Sequence, residues 1–215
     1  MMPQIKLVVF DMDGTIIEPR SSWAMIHEHF GTDNTEMLQL YIDHKISDEE
    51  FVKADIKLWN SKSDKPVDEN YINSILDKAK PRKGAEELIT SLHEKNIKTI
   101  IISGGIQYLA DKWAKKWNMD EALANDLIND EDGNLTAIIN SSGHNKGPVM
   151  EKMIEKYNCE KNEVAAIGDT IVDIPTFERA GLSVAVNTND ERVISRANYH
   201  LKGDLSELKK LIINW

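Results

Sequence analysis

Two aspartates stand directly behind the first apolar run of the chain. Asp11 and Asp13 follow Ile5–Phe10, and such a run is typical of a strand buried on both faces. If strand geometry persists, side chains at i and i+2 point the same way, and two carboxylates so close repel each other unless a cation or a proton offsets their charge. The spacing therefore predicts a catalytic or metal-binding site at this position.

Further candidate residues follow the later apolar runs or lie between them. Ligands of open α/β sheets bind at the carboxyl ends of the strands, so polar residues at those ends are expected to converge. Phosphoryl transfer needs a nucleophile, a general acid or base, donors for the phosphate oxygens, and cations that offset developing charge. The residues that could meet these needs beside the aspartate pair are Thr15, Ser103, Gly104, Lys146, Asp169 and Asp173.

The elements that must position these residues alternate along the chain. Short apolar runs predict strands, and amphipathic patterns between them predict helices, which is typical of a parallel sheet covered on both faces. The predicted strands are Ile5–Phe10, Ile97–Ile102, Val164–Ile167, Ser183–Val186 and an edge strand at Tyr199–Leu201. The predicted helices between them are Lys83–Lys95, Gln107–Trp117, Lys146–Tyr157 and Ile174–Ala180, with a closing helix at Leu205–Ile213.

Two segments interrupt the alternation. Residues 17–80 contain helical patterns and no convincing strand, and the pair Lys80–Pro81 marks a boundary because a residue before proline avoids the helical conformation. We therefore expect a helical cap at 17–80 and a catalytic core at 1–16 and 81–215. In the second segment, Asp132–Gly133 separates two apolar runs, which predicts a hairpin.

Composition narrows the classes of function. The net charge of −10, from 26 basic and 36 acidic residues, disfavours binding to nucleic acid or to anionic membranes. The single cysteine, Cys159, excludes an internal disulfide and a cysteine-based zinc site. No apolar stretch approaches the length of a membrane span, and the N-terminal residues lack a signal-peptide pattern, so we expect a cytoplasmic protein.

Four motifs in order resemble those of the haloacid dehalogenase superfamily of phosphatases. They are the segment Asp11-Met12-Asp13-Gly14-Thr15, the strand-end Ser103, Lys146, and Gly168-Asp169 with Asp173. The motif Ile102-Ser103-Gly104-Gly105, the predicted hairpin and the helical insertion are similar to the phosphoserine phosphatase branch. The resemblance implies a Rossmann-like parallel sheet with a small helical cap inserted after the first strand.

The resemblance also implies a role for each site residue. Asp11 would attack phosphorus and form an aspartyl-phosphate, and Asp13 would protonate the leaving alkoxide and then activate water. Mg²⁺ would be held by Asp11, by the main-chain carbonyl of Asp13 and by Asp169. Phosphate oxygens would be bound at Ser103, at the Gly104 amide and near Thr15. Lys146 would offset charge, while Asp173 would either orient Lys146 or bind a water ligand of the metal.

The cap departs from this branch at the positions expected to hold the substrate. Phosphoserine phosphatases carry an acidic residue where this chain has Arg20, and they carry an arginine in the insertion. No arginine occurs from 21 to 81, and the residues near the expected position are Lys53, Asp55 and Lys57. Lysine does not reproduce the bidentate pairing of arginine with a carboxylate, so phosphoserine is not the favoured substrate. Arg20 could instead meet an acidic group or a second phosphate.

The sequence therefore predicts a Mg²⁺-dependent phosphomonoester hydrolase that acts on a small phosphorylated metabolite. A phosphotransferase or mutase would use the same Asp11 chemistry, and a binding module without catalysis is a third alternative. The sequence does not determine the oligomeric state.

Overall fold

A computed structural model of the protein describes residues 4–141 and 145–215. Its strands are β1 Leu7–Phe10, β2 Lys98–Ile106, β3 Glu121–Asn129, β4 Leu135–Ile138, β5 Val164–Gly168, β6 Leu182–Val186 and β7 Tyr199–Leu201. Its helices are α1 Ser22–Phe30, α2 Thr35–Ile42, α3 Asp48–Lys62, α4 Glu69–Leu76, α5 Ala85–His93, α6 Gln107–Lys116, α7 Lys146–Lys156, α8 Ile174–Phe177, α9 Glu191–Ile194 and α10 Leu208–Ile213. Among the described residues, no helix is both long and apolar enough to cross a bilayer.

The strands form one sheet in the order β4-β3-β2-β1-β5-β6-β7. Every neighbouring pair is parallel except β3 and β4, which form the predicted antiparallel hairpin. Strands β2, β3 and β4 lie in order on one side of β1, and strands β5, β6 and β7 lie in order on the other side. The carboxyl end of β1 is thus the point where the strand order reverses, and a ligand crevice is expected there.

Apolar clusters cover both faces of the sheet. All four residues of β1 are buried: Val8 and Phe10 pack toward α5, α6 and α10, while Leu7 and Val9 pack toward α7 and α8. Because both faces of β1 are buried, its sequence is a continuous apolar run rather than an alternation of apolar and polar residues. The predicted α/β fold class is confirmed.

Four helices, α1 to α4, lie in the segment predicted as the cap. Trp59 and Ile72 belong to an apolar cluster of this segment, which packs onto Ile106 at the end of β2 and onto Leu127 and Leu135 of the hairpin. The start of α3 has a capping box, because Ser47 Oγ accepts from the Glu50 amide and the Glu50 carboxylate accepts from the Ser47 amide. In contrast, none of the residues of α2 is buried, and its main packing partner is α3.

Candidate active site

The strand order brings the candidate residues to one edge of the sheet. Asp11 directly follows β1, Ser103 lies in β2, and Asp169 directly follows β5, so three adjacent strands supply them. The prediction that β2 ends before Ser103 is wrong, because the strand continues to Ile106. Its pairing with β3 shifts register between Ile102 and Ile106, and this irregular stretch contains the two glycines.

Asp11 and Lys146 form the centre of the site. Lys146 Nζ lies 2.6 Å from Asp11 Oδ1 and 2.7 Å from Asp173 Oδ1, and the lysine is only 1% exposed. Burial alone would lower the pKa of Lys146, but Asp11 and Asp173 raise it above its ordinary value. Lys146 is therefore a fixed cation beside the Asp11 carboxylate.

Burial raises the pKa of Asp11 well above its ordinary value. The charge on Lys146 opposes that rise, whereas Asp173 and Asp169 add to it. Three buried carboxylates with one ammonium leave an excess of negative charge, which a bound cation would offset.

A candidate metal cluster is formed by Asp11, Asp169 and Asp173. One carboxylate oxygen from each lies within 4.8 Å of the others. Burial and the neighbouring Asp173 raise the pKa of Asp169 to about 7, so its ionised form lacks a sufficient counter-charge within the protein. A set of buried carboxylate oxygens is the ligand type that hard divalent cations prefer.

Asp13 has different hydrogen-bond partners from those of Asp11. The strand ends at Phe10, but the backbone of Asp11 and Asp13 stays extended and both residues line the cavity, so the expectation that their side chains point the same way stays a prediction. The Asp13 side chain lies outside the metal cluster and accepts hydrogen bonds from Ser22 N and Ser22 Oγ, both at 2.7 Å. Burial raises the pKa of Asp13, and the two bonds from Ser22 oppose the rise.

Thr15 lies behind the carboxylates rather than at the cavity. Its hydroxyl is fully buried, 3.3 Å from Asp11 Oδ2 and 3.3 Å from Asp169 Oδ1. This contact supports the orientation of both aspartates, and the predicted binding of phosphate near Thr15 stays a prediction.

Ser103 and Gly104 line the cavity above these groups. Ser103 is 1% exposed and its Oγ accepts from the Gly105 amide at 3.1 Å, which holds the hydroxyl at a fixed position. The Gly104 carbonyl accepts from Asn125 Nδ2 and from Trp23 Nε1, each at 3.0 Å. This irregular stretch of β2 is thus fixed from both the hairpin side and the cap side.

The cavity has a volume of about 330 Å³ and lies between the sheet edge and the cap helices. The core contributes the candidate catalytic groups and the irregular stretch of β2. The cap contributes mainly apolar and aromatic side chains: Trp23, Ala24, His27, Asn34, Leu38, Tyr41, Asp48, Phe51 and Val52. Arg20 also lines the cavity, is exposed, and makes no ion pair with any residue in 4–141 or 145–215.

The three α3 residues near the expected arginine position do not line the cavity. Lys53 and Lys57 are exposed, and Asp55 is fully buried next to His27 and Asn34. No described cation of α3 therefore faces the cavity.

Three supporting residues were not found by sequence reasoning. Ser22 orients Asp13, Asn125 holds the Gly104 carbonyl, and Arg82 donates to the Gly14 and Thr15 carbonyls at 2.7 and 3.1 Å. Arg82 follows Pro81, which indicated only a boundary, and nothing local in the sequence sets Ser22 apart from its neighbour Ser21.

Comparisons with known proteins agree with the motifs. Residues 5–181 match the model of the haloacid dehalogenase-like hydrolases. A phosphoserine phosphatase of Archaeoglobus fulgidus is 29% identical over 189 residues, which cover 86% of this chain and 53% of the relative. A phosphoserine phosphatase of Campylobacter jejuni subsp. doylei is 27% identical over 97% of this chain and 98% of its own length.

A solved structure, described as a phospho-aspartyl intermediate analogue of phosphoserine phosphatase, superposes with a TM-score of 0.79 at 26% identity. It covers 97% of this chain and 99% of its own. The chain spans about half the length of the Archaeoglobus relative and nearly all of the other two. These matches confirm the resemblance, including its phosphoserine phosphatase-like character.

Proposed function

Because the chain belongs to the haloacid dehalogenase-like hydrolase family, we propose that it is a Mg²⁺-dependent phosphomonoester hydrolase acting through an aspartyl-phosphate. The observation that carries the proposal is the buried pair of Asp11 and Lys146, 2.6 Å apart, beneath a cavity lined by Ser103 and Gly104. A carboxylate beside a fixed cation can attack phosphorus while the charge on the phosphoryl oxygens is offset.

The reaction has two steps at the same phosphorus atom. In the first, an Asp11 carboxylate oxygen bonds to phosphorus, the bond to the ester oxygen breaks, and Asp13 gives its proton to the leaving alkoxide. In the second, the Asp13 carboxylate takes a proton from water, whose oxygen attacks phosphorus and releases Asp11 and inorganic phosphate. The raised pKa of Asp13 suits this alternation, because burial favours the protonated form that donates to the leaving alkoxide.

The cluster of Asp11, Asp169 and Asp173 fits a divalent cation, since its oxygens are close together and its charge exceeds that of Lys146. Asp11, Asp169 and the Asp13 carbonyl would hold Mg²⁺, which when bound polarises the phosphoryl group as a Lewis acid. Asp173 accepts from Lys146 at 2.7 Å through Oδ1, and its Oδ2 accepts from the Asp169 amide. These bonds favour the role of orienting Lys146.

The substrate proposed is a small phosphorylated metabolite in the cytoplasm, with neither nucleic acid nor membrane as a partner. Two relatives are phosphoserine phosphatases, yet this chain has exposed Arg20 at the cavity and no arginine in α3. Arg20 therefore favours an ester with a second anionic group near the phosphate, and phosphoserine is not favoured.

An Asp11→Asn variant tests the mechanism. It keeps the shape of the side chain and removes the nucleophile, so release of phosphate from p-nitrophenyl phosphate with Mg²⁺ should be abolished. Asp132→Asn, on the exposed hairpin turn, is the matched control and should turn over like the parent protein. Retained activity in the Asp11 variant would refute the mechanism. Hydrolysis only in the presence of an added alcohol acceptor would indicate a phosphotransferase.

A further inference from the structure

The cap end of the cavity holds a carboxylate beside two stacked aromatic rings. Asp48, Tyr41 and Phe51 all line the cavity, and together we name them the acid–aromatic corner. The Tyr41 hydroxyl donates to Asp48 Oδ1 at 2.6 Å, and the Tyr41 and Phe51 rings stack with centroids 4.9 Å apart. The three side chains are therefore held in one arrangement before any ligand arrives.

The helix to which Asp48 belongs does not need this carboxylate for its cap. Ser47 and Glu50 already satisfy the start of α3 through their reciprocal hydrogen bonds. Asp48 also makes no ion pair with any described residue, whereas its neighbour Glu49 lies 3.9 Å from Lys53. A half-buried negative charge that faces a cavity and has no counter-ion in the described part of the chain favours a cationic ligand.

The lining of the same cavity also includes a positive charge. Arg20 lines it two residues before Ser22, whose amide and hydroxyl bind Asp13. Apolar and aromatic side chains, including Trp23 and Val52, complete the lining. The cavity thus combines the catalytic groups and a cation with apolar side chains and the acid–aromatic corner.

We propose that the acid–aromatic corner is a subsite for an ammonium group on the alcohol part of the phosphate ester. An ammonium ion is attracted both to a carboxylate and to the face of an aromatic ring, and the attraction grows as water is excluded. The proposal rests on the proposed hydrolase function. It narrows the substrate class to phosphate esters of amino alcohols with an apolar spacer between the two charged groups.

A matched series of esters tests this subsite. Phosphate monoesters of straight-chain alcohols with two to six carbons are compared in pairs, one ending in an ammonium group and the other in a methyl group. The readout is kcat/KM for phosphate release with Mg²⁺ present. At the best chain length the ammonium ester should be preferred by about tenfold, in line with a partly desolvated cation–π and ion-pair contact.

Two variants locate the preference within the cap. Asp48→Asn removes the charge and keeps an acceptor for Tyr41, so the ratio of ammonium to methyl ester should fall toward one. Glu49→Gln removes a negative charge from the same helical turn but does not line the cavity, so the ratio should remain that of the parent protein. Thermal unfolding of both variants shows whether each is folded.

The outcomes separate this inference from the function on which it rests. Equal rates for both esters at every length, with p-nitrophenyl phosphate still hydrolysed, would overturn the subsite alone. An unchanged preference in Asp48→Asn would overturn it as well. If no ester is hydrolysed, p-nitrophenyl phosphate included, the hydrolase function fails and the subsite fails with it.

Discussion

Replacing Ser22 by alanine is expected to weaken catalysis through Asp13. Asp13 Oδ2 accepts two hydrogen bonds of 2.7 Å from Ser22, one from the amide and one from the hydroxyl. The substitution removes the hydroxyl bond and keeps the amide bond. A hydrogen bond to a charged group contributes about 1.5–3 kcal/mol, which corresponds to roughly a tenfold to hundredfold decrease in kcat if the bond matters in the transition state.

The same substitution should shift the pH dependence in a defined direction. Burial raises the pKa of Asp13, and the bonds from Ser22 lower it by stabilising the ionised form. Losing one bond raises this pKa further. Because Asp13 must be protonated to donate to the leaving alkoxide, the alkaline limb of the kcat profile should move to higher pH.

A cost to stability accompanies the change. Ser22 is fully buried, and its Oγ also accepts from the Ile106 amide at 3.2 Å. Leaving that buried donor unpaired costs about 1–3 kcal/mol of unfolding free energy. Chemical denaturation measures this loss, and kcat is compared only under conditions where both proteins are folded.

Ser21→Ala is the control for this prediction. Ser21 Oγ accepts from the Ala24 amide at 3.2 Å and caps α1, so its loss should cost about 1 kcal/mol of unfolding free energy. Ser21 does not contact Asp13, and the alkaline limb should stay in place. If Ser22→Ala loses stability yet keeps the parent kcat and pH profile, the assigned positioning of Asp13 is refuted.

Two further predictions concern the close packing and the charge of the site. In a Gly105→Ala variant the new methyl group would lie 2.7 Å from Asp13 Oδ2, so turnover of p-nitrophenyl phosphate should fall strongly. The control, Gly133→Ala, should lower stability and spare turnover, because open space surrounds Gly133. Equal turnover in the two variants would contradict this prediction. The pKa of Asp169 is raised from 3.8 to about 7 in the folded protein. Without metal, the folded state therefore binds more protons than the unfolded state between these pH values. The free energy of unfolding should thus fall as pH rises through about 4 to 7. Mg²⁺ favours the ionised form, so the difference in melting temperature between Mg²⁺ and EDTA should widen across the same window, and a constant difference would argue against a metal at this carboxylate.

The sequence predicted those elements whose signals are local. The pair Asp132–Gly133 predicted the hairpin of β3 and β4, since the turn signal lies within two adjacent residues. The buried parallel strands were predicted because each is a continuous apolar run in the sequence. The expectation that the residues after β1 and β5 meet is confirmed.

Features that depend on distant contacts were not predictable in this way. The Asp13 carboxylate is held by hydrogen bonds from Ser22, and the extension of β2 through its two glycines is supported by a bond from the Ile106 amide to Ser22 Oγ. The burial of Asp55 behind His27 and Asn34 likewise follows from how the cap helices pack. No short window of sequence contains these contacts.

The position of β1 at the centre of the sheet has a consequence for synthesis on the ribosome. Asp11 meets Lys146 across a separation of 135 residues, and β1 lies between β2 and the much later β5. While the chain grows, one edge of this wholly apolar strand stays without its partner until most of the protein has been made. An unpaired apolar edge is prone to aggregate, so we expect the nascent chain to need protection by a chaperone. Enzymatic activity should appear only after β5 has paired with β1 and completed the sheet.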